Sequence, residues 1–156
     1  MSRVTLDPIY VTFRNDDPSM APSCMVDGDP NTFVLTTGGF PQEVILTVGS
    51  AAMANISSIT VILHDAKEVL VERCTSALPT KFDLVSKLSL ERSGSNEKQK
   101  ERLTLDPNGD GRGIRFLRLR LLSAYSQFVG IFGIEAEGEE SQQRVAVMES
   151  NPEVMM

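Results

Sequence analysis

Over much of the chain, apolar and polar residues alternate with a period of two. Phe82, Leu84, Ser86, Leu88 and Leu90 share one parity, and Asp83, Lys87, Ser89 and Glu91 share the other. That pattern predicts a strand with one buried face. The stretch from Ile114 to Leu122 repeats it: Leu117, Leu119 and Leu121 point one way, and Phe116, Arg118 and Arg120 the other. Residues 44–48, 56–63, 69–73 and 129–137 are strand-like and rich in β-branched side chains. Shorter strands are expected near 4–13 and 102–105. No segment carries a long apolar stripe at helical spacing. Many short strands punctuated by Gly, Pro, Asn and Asp predict an all-β antiparallel sandwich of the jelly-roll type.

Two segments interrupt the pattern. Residues 93–113 carry Gly, Asn, Lys and Glu without a clear apolar face and are expected to form a mobile hairpin excursion. Residues 139–156 hold four acids and one base with few core formers. They read as a disordered acidic tail; the alternative is a short helix over 142–149 that orders on a partner. The folded domain is therefore expected over residues 1–138. Residues 44–63 contain no charge, but Gly49, Ser50, Asn55, Ser57 and Ser58 would leave polar groups unsatisfied in hydrocarbon. Two strands around a turn are the better reading.

Charge and composition narrow the function. Apolar residues make up 41% and charged residues 23% of the 156, a globular balance. With 21 acids against 15 bases the net charge is -6, which disfavours nucleic acid and anionic membranes as partners. There is no Trp and one His, so any catalytic triad or multi-imidazole zinc site would have to be built around His64. No motif ties a nucleophile to His64, and no phosphate-cradling glycine loop is present. Catalysis is not expected. Cys24 and Cys74 are too few for a disulfide scaffold. The first residues, Met1 to Pro8, lack a basic start followed by an apolar run, so no signal peptide is expected and the thiols should be reduced in the cytosol.

Three constellations could carry chemistry. Asp27-Gly28-Asp29-Pro30-Asn31-Thr32 places two carboxylates and a hydroxyl around a glycine that can turn tightly. Hard cations such as Ca²⁺ take six to eight oxygens, so this loop needs a carboxylate from elsewhere, and Glu137 at the end of the last strand is the candidate. The same residues are also good turn formers without a metal. Asp106-Pro107-Asn108-Gly109-Asp110-Gly111 matches the first half of an EF-hand loop, but the twelfth position is Leu117 inside a strand. A solvated turn is expected. Arg112, Arg115, Arg118 and Arg120 could pair with an acidic surface or form a solvated sheet face balanced by nearby acids.

The phrases Met25 to Phe33 and Thr36-Thr37-Gly38-Gly39-Phe40-Pro41-Gln42-Glu43 resemble the opening of a discoidin domain, a galactose-binding-like jelly roll. The closing strands, Phe116 to Arg120 and Ile134 to Gly138, are similar to that family's. With Leu122-Ser123-Ala124-Tyr125, Phe128 and Ala136-Glu137-Gly138, the chain resembles most the small non-GTPase subunits of intraflagellar transport complex B. The resemblance covers about residues 1–138.

It implies a non-catalytic interaction subunit that forms a heterodimer with a Rab-like small GTPase subunit, works with other complex B subunits, and resides in the cilium or flagellum and the cytoplasm near the basal body. It also implies a structural Ca²⁺ held by Asp27, Asp29, Thr32 and Glu137, with the carbonyls of Cys24 and Ala136. Phe40, Phe116, Arg118 and Arg120 are candidate partner contacts. The alternative is a carbohydrate- or lipid-binding discoidin module. Val34 stands where discoidin domains usually carry Trp.

Overall fold

The computed structural model describes residues 2–13, 17–50, 53–95 and 97–140. Ten antiparallel strands build two five-stranded sheets, and the fold is all-β as the alternation requires. The first sheet runs β1 (Ser2–Arg3), β10 (Gly130–Glu140), β5 (Ala54–His64), β8 (Gln99–Thr104), with β3 (Val34–Leu35) also paired to β10. The second runs β2 (Leu6–Val11), β4 (Gln42–Val48), β9 (Phe116–Ala124), β6 (Ala66–Cys74), β7 (Asp83–Ser89). Two short 3-10 turns, Pro18–Met20 and Pro22–Met25, lead into the Asp27 loop.

The core fills the space between the sheets. Val44, Leu46 and Val48 of β4 and Leu117, Leu119 and Leu121 of β9 face Ile59, Val61 and Leu63 of β5 and Ile131, Ile134 and Ala136 of β10 as one cluster. The uncharged stretch over residues 44–63 supplies most of two strands, β4 and β5, and no helix among the described residues is long and apolar enough to cross a membrane.

The structure differs from the periodic reading in two details. The short strand expected near 102–105, inside the 93–113 excursion, starts earlier as β8 and pairs with β5 from Ser58↔Thr104 to Leu63↔Gln99. The buried Gln99 side chain anchors that segment: its amide accepts from Ala66 N at 3.0 Å and donates to the Ala66 carbonyl at 2.7 Å. In β7 the register skips a residue, from Val71↔Ser86 to Glu72↔Leu84. Such a bulge reverses the side on which later residues stand, so Leu84 is 58% exposed although it shares parity with buried Leu88. Of the tail expected over 139–156, Glu139 and Glu140 belong to β10; residues 141–156 lie outside the described residues.

Candidate functional site

The Asp27 loop is shaped by its own oxygens. Gly28 has φ 75°, which lets the chain reverse between the two aspartates. Asp27 Oδ1 accepts from Asp29 N at 2.9 Å, and Asp29 Oδ1 accepts from Asn31 N at 2.9 Å. Thr32 Oγ1 is the meeting point: it lies 2.7 Å from Asp27 Oδ2, 3.1 Å from the Asp29 carbonyl and 3.3 Å from the Cys24 carbonyl. Asp27, Thr32, the Cys24 carbonyl and the Asp29 carbonyl are therefore together, while the Asp29 carboxylate caps the next turn.

The strand side is arranged differently. The Ala136 carbonyl accepts from Val4 N at 2.8 Å, which ties the N-terminal segment to β10. Glu137 Oε1 lies 3.1 Å from Ser58 Oγ and 3.4 Å from an Arg102 guanidinium nitrogen. The Ser58 hydrogen bond first, and then Arg102, hold this carboxyl below its ordinary value. Glu135, two residues earlier, is 3.5 Å from Arg3, whose guanidinium rests against Gly28.

Among the described residues no three His, Cys, Asp or Glu side chains converge on one point. A cation at this loop would lean on hydroxyl and carbonyl oxygens, a donor set that fits a hard ion such as Ca²⁺. Asp27, Thr32 and the carbonyls of Cys24 and Asp29 are the groups that would hold it.

The EF-hand-like segment is a turn. Asn108 N donates to Asp106 Oδ1 and Asp106 N to Asp110 Oδ1, so both carboxylates serve the backbone. Ile56 N donates to the Gly111 carbonyl at 2.7 Å, which fastens the turn to β5. His64 presents Nδ1 to the Glu97 carbonyl at 3.0 Å and Nε2 to Asp65 at 3.6 Å. Cys24 and Cys74 are free thiols.

The second sheet turns a continuous row of side chains away from the core. The registers Tyr10↔Ile45, Ile45↔Arg118, Arg118↔Glu72 and Glu72↔Leu84 align one residue from each of its five strands. Residues paired directly across antiparallel strands share a face. A second row sets Glu43, Arg120, Leu70 and Lys87 beside it.

The charges in this face are internally matched. Arg118 Nε meets Glu72 Oε1 at 2.6 Å, and its guanidinium lies 4.2 Å from the Phe82 ring centre. Arg120 Nε is 3.0 Å from Glu43 Oε2 but lacks hydrogen-bond alignment. Arg118 and Arg120 of the arginine set thus sit in a charge-balanced sheet face, with Tyr10 at 52% and Leu84 at 58% exposure as apolar ends. Phe116 lies on the same face beside Thr47, whereas Phe40 is half-buried against the core. Tyr10, Ile45, Glu72 and Leu84 were not singled out by sequence. Only strand pairing brings them together, and no local motif encodes pairing.

Comparison with known proteins gives these features a context. No family model matches the chain. It is 29% identical over 122 residues to intraflagellar transport protein 25 of Chlamydomonas reinhardtii, covering 78% of this chain and 60% of that protein. The chain thus spans 60% of that relative's length. It is 27% identical to the intraflagellar transport protein 25 homolog of Mus musculus, over 86% of this chain and 90% of the relative. The Homo sapiens homolog matches at 26% identity, over 80% of the chain and 81% of the relative.

Among solved structures, CBM32-3 from a family 31 glycoside hydrolase of Clostridium perfringens superposes with TM-score 0.67 at 15% identity, covering 86% of this chain and 91% of that one. The family 32 module of Clostridium perfringens NanJ, solved with galactose, gives TM-score 0.62 at 14% identity over 85% and 92%. These likenesses show that the two sheets share the jelly-roll fold of those modules.

Proposed function

We propose that this chain, a homologue of intraflagellar transport protein 25, is a non-catalytic subunit of intraflagellar transport complex B in the cilium or flagellum, with a cytoplasmic pool near the basal body. In this reading it forms a heterodimer with the complex's Rab-like small GTPase subunit. The observation that carries it is similarity to three proteins of that name across 78–86% of the chain. The docking surface we assign is the outward face of the β2-β4-β9-β6-β7 sheet. There Tyr10, Ile45, Phe116 and Leu84 supply apolar contact, and Arg118 and Arg120 are already held by internal carboxylates. Aromatic and arginine side chains already ordered by ion pairs suit an interface core. A ciliary location follows from the same kinship.

A structural Ca²⁺ at Asp27, Thr32 and the Cys24 and Asp29 carbonyls belongs to the same proposal. It would link the loop to β10 and so join the two ends of the domain, where restricting the unfolded chain stabilises most. The strand-side carboxylate would come from Glu135 or Glu137.

The test is co-expression with the GTPase subunit. A tagged chain should retain it through size-exclusion chromatography, and a chain that elutes alone defeats the proposal.

A second reading, a carbohydrate module, draws on an open cleft of about 330 Å³ lined by Asn31, His64, Lys98 and Phe132, where Phe33 stacks on Phe132 at 4.8 Å. Saturable binding on a glycan array would promote it.

A further inference from the structure

We infer that Arg3 competes with a divalent cation for the gap between the Asp27–Thr32 loop and β10, so that the protein carries its own antagonist of calcium. The inference rests on the calcium reading above and concerns what sets its affinity.

Arg3 lies on β1 opposite Glu137 of β10. One guanidinium nitrogen is 3.5 Å from Glu135 Oε1. Another is 3.4 Å from the point where a Cβ on Gly28 would stand. A single positive group therefore lies beside Gly28 of the loop and within 3.5 Å of Glu135 on β10, the two elements a bridging ion would have to join. Glu137, the other carboxylate on this stretch of β10, is engaged by Ser58 and Arg102. With both arginines in place, the negative charge on the strand side is already balanced.

An entering cation would meet the Arg3 charge at close range and would have to take Glu135 from it. Like charges repel, and solvent reaching the exposed Arg3 side chain moderates that repulsion. The displacement is feasible. The Arg3 side chain is 60% exposed, and exposed pairs of this kind are weak. The guanidinium also borders a cavity of about 190 Å³, lined by Val4, Leu6, Val26 and Ile134, rather than a filled core. Ca²⁺ would thus exchange one bridging cation for another, and the loop would remain joined to the last strand in both states.

The test is calorimetric Ca²⁺ titration of the full chain and its Arg3→Gln and Arg3→Lys variants, with melting temperature in Ca²⁺ and in chelator as a second readout. Arg3→Gln should bind Ca²⁺ about threefold to fivefold more tightly than the native chain, and its melting temperature should fall further on chelation. Arg3→Lys, which keeps the charge, should stay close to native. Equal affinities for all three chains, or weaker binding by Arg3→Gln, overturn the competition while leaving the calcium site standing. No binding by any of them overturns both.

Discussion

Arg118 Nε stands 2.6 Å from Glu72 Oε1 on the side of the sheet turned away from the core, and Glu72 is nevertheless only 7% exposed. Phe82, stacked on the guanidinium, and the neighbouring strands screen the pair from water. A charge pair in that setting is costly to break and inexpensive to replace as a unit.

Arg118→Ala should therefore lower unfolding free energy by about 2 kcal/mol, because Glu72 is left charged and largely desolvated. The double variant Arg118→Met with Glu72→Leu should return to within about 1 kcal/mol of native. Urea unfolding of the two variants measures this. A silent Arg118→Ala would show that the pair is effectively solvated.

Gln99→Leu should cost about 2–3 kcal/mol, since it strands the amide and carbonyl of Ala66 and the carbonyl of Glu91. The measurement is thermal unfolding combined with hydrogen exchange at Ala66, which should lose protection first. Unchanged exchange there would contradict the anchoring role given to Gln99.

Gly111→Ala should destabilise by more than about 3 kcal/mol. The Ile56 carbonyl occupies the place of the new methyl, and backbone cannot yield as a flexible side chain can. Gly38→Ala, whose nearest neighbour would be 3.9 Å away, is the control and should lose less than about 1 kcal/mol. Comparable melting temperatures for the two would refute the close approach.

Glu140 closes the N-terminal end of the sandwich by accepting from Thr5 N at 2.9 Å and from Ser50 N and Oγ, each at 2.7 Å. Partial burial raises its carboxyl, but the Thr5 and Ser50 hydrogen bonds outweigh that and bring it down to about 2. A carboxyl depressed on folding adds stability that is fully present above its unfolded value and disappears as pH falls through the folded one. Glu140→Gln should therefore melt below native at pH 7, by roughly 1 kcal/mol in this partly solvated site. The gap should shrink from about pH 4.5 downward. A gap independent of pH would assign the loss to shape rather than charge.

The alternation in β4, β5 and β9 was readable because each strand has one wet and one dry face, and a period of two states that directly. The run Thr36 to Glu43 was readable as a family phrase, and its residues prove structural. Thr36 Oγ1 accepts from Val129 N, and Gln42 Nε2 donates to the Gly39 carbonyl. The loop oxygens around Thr32 were legible because they lie within nine residues of one another. Leu84 was misjudged because a bulge is a property of two strands and leaves no mark in one. The same holds for the row from Tyr10 to Leu84, which five strands compose, and for Arg3 beside Gly28, which are distant in sequence and meet only through the pairing of β1 with β10.

In the proposed assembly a small GTPase subunit docks on the outward face of the second sheet. The most direct test of this docking is sedimentation velocity of that subunit mixed with the native chain or with an Ile45→Asp, Leu84→Asp variant whose melting temperature matches native. A one-to-one complex is expected with the native chain and separate boundaries with the variant. Separate boundaries with the native chain, or an intact complex with the variant, would contradict it.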